Sequence, residues 1–180
     1  MNALRRLAPL LLSLVAGCVH PVRPDGGTGL LPVGSPAPDL AGTTSDGKSI
    51  RLSAVRGHPA VVYFYPKDET PGCTREACAF RDAFAKYDAL SIPIFGVSRD
   101  SEDSHRSFRT HHDLPFPLVA DEEGTVARAY GVSSMLGMAS RVTFLVGADG
   151  RVRRVWPDVD PAVHAEQVLA AARGEDGGSR

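Results

Sequence analysis

The order of apolar and polar positions divides the chain into short blocks. Six consecutive apolar residues, 60–65, are rich in β-formers and predict a strand buried on both faces. From Cys73 to Leu90 the period changes: Ala77, Phe80, Phe84 and Tyr87 recur at spacings of three and four, one apolar face of a helix. Residues 92–97 predict a second buried strand. Residues 101–112 are polar, with Phe108 the main apolar anchor, and predict a surface helix whose His105, His111 and His112 form a solvated face. A short strand at 117–120 and a helix at 124–130 follow. Val142 to Val146 and Val152 to Trp156 flank Gly147-Ala-Asp-Gly150, a hairpin signal. A final helix is expected from Asp160-Pro161, a cap followed by a first-turn proline. Residues 48–52 predict an edge strand after an Asp46-Gly47 turn. Helices between buried strands, closed by a hairpin and a helix, predict an α/β domain with a central mixed β-sheet flanked by helices on both faces.

The chain has 180 residues, 43% of them hydrophobic, enough for one core and short for two. With 20 Lys+Arg against 21 Asp+Glu the formal charge is -1, which argues against nucleic acid as a partner. Three cysteines are too few for a disulfide scaffold or a four-thiolate zinc site, and the odd number requires one of them to be explained separately.

The first segment supplies that explanation. Arg5 and Arg6 precede an uncharged run from Leu7 to Ala16, the pattern of a secretory signal and too short for the ~20 residues of a membrane span. Small residues before Cys18 resemble a bacterial lipobox, so residues 1–17 are expected to be a signal peptide of lipoprotein type and Cys18 the site of lipid attachment. Residues 18–32, rich in Pro and Gly, are expected to form a flexible tether. The folded domain is expected at 33–172 and a disordered tail at 173–180. The location implied is the cell envelope, a periplasm-facing lipoprotein bound to membrane through its lipid. The residue after Cys18 is Val19 and not Asp, which leans toward the outer membrane.

The densest chemistry runs from Tyr63 to Cys78. Cys73 follows Pro71-Gly72 at the predicted start of a helix, where free N–H groups and the positive end of the dipole favour an anion. A thiol there is an activated nucleophile rather than a core hydrophobe. Thr70 places a hydroxyl one turn earlier, and Pro66 stands where it can shield the thiol. Cys78 is five residues beyond Cys73. In an ideal helix that separates their Cα atoms by roughly 8–9 Å and about 140° around the axis. A disulfide needs less than about 7 Å, so the two can pair only if the first turns unwind. The alternative is that Cys78 is an unpaired packing residue.

This stretch resembles the peroxiredoxins, specifically the bacterioferritin-comigratory, or peroxiredoxin Q, type. Pro66, Thr70 and Cys73 fit the family pattern Pro-x-x-x-Thr-x-x-Cys; Cys73, Thr74, Glu76 and Cys78 fit Cys-Thr-x-Glu-x-Cys. Val33-Gly-Ser-Pro-Ala-Pro-Asp-Leu40, Gly96-Val-Ser-Arg-Asp-Ser101 with Ser104-His105, Leu114-Pro-Phe-Pro-Leu118 and Arg141-Val-Thr-Phe-Leu145 extend the similarity over residues 33–156. The resemblance implies a thioredoxin-like fold and a thiol peroxidase that needs no cofactor and no metal. It implies a peroxidatic Cys73, an electrostatic Arg141, a Thr70 that orients the peroxide, a shielding Pro66, a supporting Glu76 and a resolving Cys78. The implied partners are a peroxide and a thioredoxin-like or other dithiol reductant, and the implied state is a monomer. An exported chain cannot meet cytosolic thioredoxin, which leaves the donor open. Two other readings fit less well. A thioredoxin-like disulfide oxidoreductase usually carries Cys-x-x-Cys. A Sco-like copper lipoprotein would need Cys-x₃-Cys plus His111, His112 or His164 as third ligand.

Overall fold

The computed structural model describes residues 22–40, 42–45 and 47–174. The elements in chain order are β1 (Gly42–Thr44), β2 (Ser49–Ile50), a 3-10 turn (Leu52–Val55), β3 (Ala60–Phe64), α1 (Pro71–Asp88), β4 (Ile94–Ser98), α2 (Glu102–His111), β5 (Leu118–Ala120), α3 (Thr125–Ala129), β6 (Ser134–Met135), β7 (Met138–Ala139), β8 (Val142–Val146), β9 (Val152–Trp156) and α4 (His164–Arg173). Seven strands form one mixed sheet in the order β2-β1-β5-β4-β3-β8-β9, with β3, β4 and β5 parallel and β8 antiparallel to β3. The pair β6–β7 is a separate small hairpin.

The continuous apolar run of β3 is explained by its position at the centre of the sheet, because the pleat sends its side chains alternately to two cores. Val61, Tyr63 and Tyr65 join Phe80, Tyr87, Phe108 and Val168 beneath α1, α2 and α4. Val62 and Phe64 join Phe95, Val126, Tyr130 and Phe144 on the face covered by α3. Each fully buried aromatic contributes about 1.5–3 kcal/mol relative to exposure. On α1 the buried stripe is Cys73, Glu76, Ala77, Phe80, Ala83 and Tyr87. The expected Phe84 sits at its margin, half-buried, and the stripe carries a carboxylate that an apolar-period reading does not anticipate.

Several expectations change. Part of the stretch read as a tether is folded against the domain. Arg23 is buried and donates to Asp25 and to the carbonyls of Thr28, Gly29 and Leu30. Leu31 is buried, and its N–H donates to Tyr130 O at 3.0 Å. Gly131, at φ 68°, lets this segment approach; a Cβ there would lie 1.9 Å from Gly29 O. Pro and Gly composition marked the turns without revealing the arginine that ties them down. The last helix begins at His164, because Asp160 to Val163 form a turn closed by Val163 N–H to Asp160 O. His105, expected on the solvated face of α2, lies on its buried side, as inaccessible as Phe108. Cys18, the signal segment, Asp46 and residues 175–180 lie outside the described residues. Among the described residues no helix is long and apolar enough to cross a membrane.

Candidate active site

The register of β3 and β8 builds the site. Phe64 pairs with Val142, so Arg141 lies beside the C-terminal end of β3, where the chain leaves the sheet toward α1. Cys73 is the third residue of α1 and is 1% exposed. The Arg141 guanidinium lies between two groups of this helix. Its Nη2 donates to Cys73 Sγ at 3.2 Å, and its Nη1 donates to Glu76 Oε2. Gly72 makes room for this approach, since a Cβ there would come 3.2 Å from Arg141 Nη2.

Glu76 is fully buried. Burial pushes its carboxyl up, to about 7, against the pull of Arg141. Its second oxygen, Oε1, has no hydrogen-bond partner among the described residues. The carboxylate therefore depends on Arg141 as much as Arg141 depends on it for orientation.

Thr70 is the N-cap residue of α1, with extended backbone, yet its side chain does not cap the helix. Its hydroxyl donates to Lys67 O at 2.9 Å. That leaves the hydroxyl oxygen able to accept a hydrogen bond. The backbone pairing of the helix begins with Thr74 N–H to Thr70 O. Pro66 is half-buried at the turn out of β3. The structure thus brings Cys73, Arg141 and Glu76 into contact, with Thr70 at the same helix end. Cys78 is half-buried further along the helix, and both thiols are free.

The loop between Pro66 and Thr70 is held by a buried polar network that the sequence reading missed. Asp68 accepts from Tyr65 Oη at 2.8 Å, from Ser104 Oγ at 2.7 Å and from His105 Nδ1 at 2.9 Å. His105 Nε2 lies 3.2 Å from Val119 O, which can only accept. The Asp68 N–H donates to Asp100 Oδ2 at 2.9 Å, and Ser98 Oγ donates to the same oxygen at 2.7 Å. Burial alone would push the Asp68 carboxyl up; hydrogen bonds from and charge on His105, then Ser104 and Tyr65, more than offset it and hold it below its ordinary value. The available signal was spacing: His105 precedes Phe108 by three and therefore shares its inward face.

The histidines of the copper reading are placed elsewhere. His164 is buried with Nε2 2.7 Å from Thr143 Oγ1, and burial pushes it down to about 4, so it is neutral. His111 and His112 face Glu69.

Residues 33–155 match the AhpC/TSA family. A putative peroxiredoxin bcp of Coxiella burnetii is 38% identical over 144 residues, covering 76% of this chain and 95% of that protein. Peroxiredoxin Bcp of Bacillus subtilis is 39% identical over 145 residues, covering 76% of this chain and 92% of its own length. Among solved structures, the Xanthomonas campestris bacterioferritin comigratory protein, studied for alkyl peroxide reduction in trapped intermediate and ligand complexes, superposes with TM-score 0.71 at 36% identity over 82% of this chain and 98% of its own. Peroxidoxin BcpB of Mycobacterium tuberculosis gives TM-score 0.74 at 32% identity, covering 79% and 96%.

The Asp68 network generates a stability prediction. A carboxyl whose folded pKa is depressed stabilises the fold above its unfolded pKa, and that contribution is lost as pH falls through the folded value. Asp68→Asn is expected to lose about 3–5 kcal/mol at neutral pH, the usual cost of removing one partner of a buried pair. Urea unfolding at several pH values should show the gap to the unmodified chain narrowing toward strong acid. A gap independent of pH would refute the assignment of the effect to the carboxylate.

Proposed function

Because the chain belongs to the AhpC/TSA family and is a peroxiredoxin of the bacterioferritin-comigratory, or peroxiredoxin Q, type, a thiol-dependent peroxidase, we propose that Cys73 is its peroxidatic residue and Cys78 its resolving residue. The observation that carries this reading is the single guanidinium of Arg141 donating to both Cys73 Sγ and Glu76. The Cys73 thiolate attacks one oxygen of the peroxide along the O–O axis. The S–O bond forms as the O–O bond breaks, giving Cys73 sulfenic acid and an alkoxide or hydroxide that takes up a proton. Negative charge moves from sulfur to the leaving oxygen, and Arg141 with the uncapped N–H groups of α1 is already oriented toward that path. The Thr70 hydroxyl, its proton directed to Lys67 O, accepts from the peroxide O–H and fixes which oxygen meets the sulfur. Pro66 restricts water at the mouth of the site.

Resolution follows by condensation of Cys73 sulfenic acid with the Cys78 thiol, giving a disulfide and water. Both residues lie on α1, so the step requires the first turns of that helix to open. An external dithiol then reduces the disulfide by exchange and is itself oxidised. Its identity follows from location. Cys18 is read as a lipid-attachment site on the strength of the Arg5-Arg6, apolar and small-residue sequence before it, which places the domain at a membrane surface in the cell envelope. The reductant there is an envelope dithiol protein of thioredoxin-like chemistry rather than cytosolic thioredoxin.

Three outcomes test this reading. The purified chain with dithiothreitol consumes hydrogen peroxide, Cys73→Ser abolishes consumption, and Arg141→Ala lowers kcat/KM by about 10²–10³-fold, the cost of one fixed transition-state donor; activity retained in Cys73→Ser would reject the assignment. After one equivalent of peroxide, peptide mass spectrometry should find Cys73 linked to Cys78, and a free Cys78 thiol would remove its resolving role. In a bacterial host the chain fractionates with membranes and Cys18→Ala releases it or leaves the precursor uncleaved; unchanged processing of Cys18→Ala would overturn the anchor.

A further inference from the structure

Two groups of side chains among the described residues bring three potential metal-donor atoms within 4.8 Å of one another: Asp68, Asp100 and His105, and Glu69, His111 and His112. The first is buried, and its donors are committed to the network that holds the loop. The second lies at the surface with no such commitments. Glu69 Oε1 is 3.2 Å from His111 Nδ1, and Glu69 Oε2 is 3.0 Å from His112 Nε2. In tetrahedral geometry with bonds of about 2.0–2.1 Å, neighbouring ligand atoms stand about 3.3 Å apart. The nitrogen–oxygen spacings already present are close to that value. The three donor atoms lie within 4.8 Å of one another, the two nitrogens meeting different oxygens of one carboxylate.

We propose that Glu69, His111 and His112 form a surface site for a divalent transition-metal ion of the zinc class, and that its occupation restrains the opening of α1. Two imidazoles and one carboxylate are a ligand set that zinc uses with water completing the shell. His112 is positioned by an edge contact with Phe108, ring centroids 5.0 Å apart, which leaves its Nε2 directed at Glu69. Glu69 is held at φ 59°, in the left-handed region, immediately before the Thr70 N-cap. The sequence reading expected no metal, because it sought a third ligand for the cysteines, and Glu69 stands 42 residues from His111.

The location carries the second half of the proposal. His112 is gripped from both sides of the redox pair. Its ring meets Glu69, four residues before Cys73, and its carbonyl oxygen accepts from Arg81 Nη1 at 2.9 Å, three residues after Cys78. The segment between these two contacts is the one that must unwind before Cys73 sulfenic acid can condense with Cys78 and release water. A metal that chelates Glu69 to the end of α2 fixes one boundary of that segment in its folded position. This restraint rests on the peroxidatic reading; the site itself does not.

The test compares Zn²⁺ titration of the reduced full chain with that of His111→Ala/His112→Ala, which keeps every thiol. Calorimetry is expected to find one more equivalent bound by the unmodified chain, with the ring resonances of both histidines shifting in NMR spectra. Loss of an outer partner alone costs about 10–100-fold in metal affinity, so Glu69→Gln, which keeps the shape of the side chain, should weaken this equivalent by at least about tenfold. Circular dichroism verifies that both variants are folded. Equal stoichiometry and affinity in the unmodified chain and the double variant would overturn the site. Quenched time courses after one equivalent of peroxide should show Zn²⁺ slowing Cys73–Cys78 linkage severalfold in the unmodified chain and not in the double variant. Equal rates with and without Zn²⁺, or equal slowing in both proteins, would overturn the restraint. A chain that fails to consume peroxide would leave the Zn²⁺ comparison standing and would count against the peroxidatic reading alone.

Discussion

Arg141 donates one nitrogen of its guanidinium to Cys73 Sγ and the other to Glu76, and these two contacts connect the sheet to the start of α1. A carboxylate on the buried stripe of a helix is costly, and removing one partner of such a pair typically costs about 3–5 kcal/mol. Glu76 is tolerated there because the β3–β8 register delivers an arginine to it. The same register brings that arginine to the sulfur. The ion pair thus orients Arg141, ties α1 to the start of β8, and holds the guanidinium against the Cys73 sulfur.

That arrangement conflicts with the resolving step proposed for Cys78. Cys73 is 1% exposed and held by Arg141, while its partner sits on the same helix at a spacing a folded helix cannot bridge. On the proposed reading the start of α1 has to open. An N-cap side chain normally contributes about 1 kcal/mol, and Thr70 forgoes it by directing its hydroxyl to Lys67 O. On that reading the free N–H groups serve the leaving oxygen, and the missing cap lowers the cost of unwinding. Firm restraint is moved one step upstream, to Asp68, whose carboxylate ties the loop to α2 and β5 through His105. On the proposed reading the loop therefore stays in place while the helix beyond it opens.

Much of this was legible in the chain. The apolar run of β3, the three-and-four spacing on α1 and the hairpin around Gly147 to Gly150 follow from local periodicity, and the structure has all of them. The Thr70 and Cys73 pattern with Arg141 named residues that the fold brings to one helix end, because a family motif records long-range proximity that periodicity cannot. What stayed hidden depends on contacts between distant residues. Arg23 reads as one charge in a Pro- and Gly-rich segment, yet its partners are carbonyls created by the turn itself. His105 reads as polar, yet Asp68 lies 37 residues away and makes its burial affordable. Glu69 and His112 are 43 residues apart and meet only because α2 packs beside the loop.

The two clusters that join α2 to the loop, Asp68 with His105 and Glu69 with His111 and His112, differ in what they can respond to. Asp68 and His105 are sealed from solvent, so their pair is a constant of the fold. Glu69, His111 and His112 are open to solvent, so whatever binds them reports on conditions outside. A ligand that binds only the folded state stabilises it by about 2.7 kcal/mol at one hundred times its dissociation constant. If opening of α1 released the metal completely, the open population would fall by close to a hundredfold; a metal that fixes only one boundary of the segment gives a smaller, severalfold fall. The sulfenic acid would then persist beside Arg141, in the site where a second peroxide arrives, and further oxidation to sulfinic acid competes with resolution. Metal at this position would therefore leave the first turnover fast while shifting the enzyme from repeated cycling toward inactivation as peroxide rises. That distinguishes a restraint on α1 from a metal that blocks the thiol, which would slow the first turnover as well.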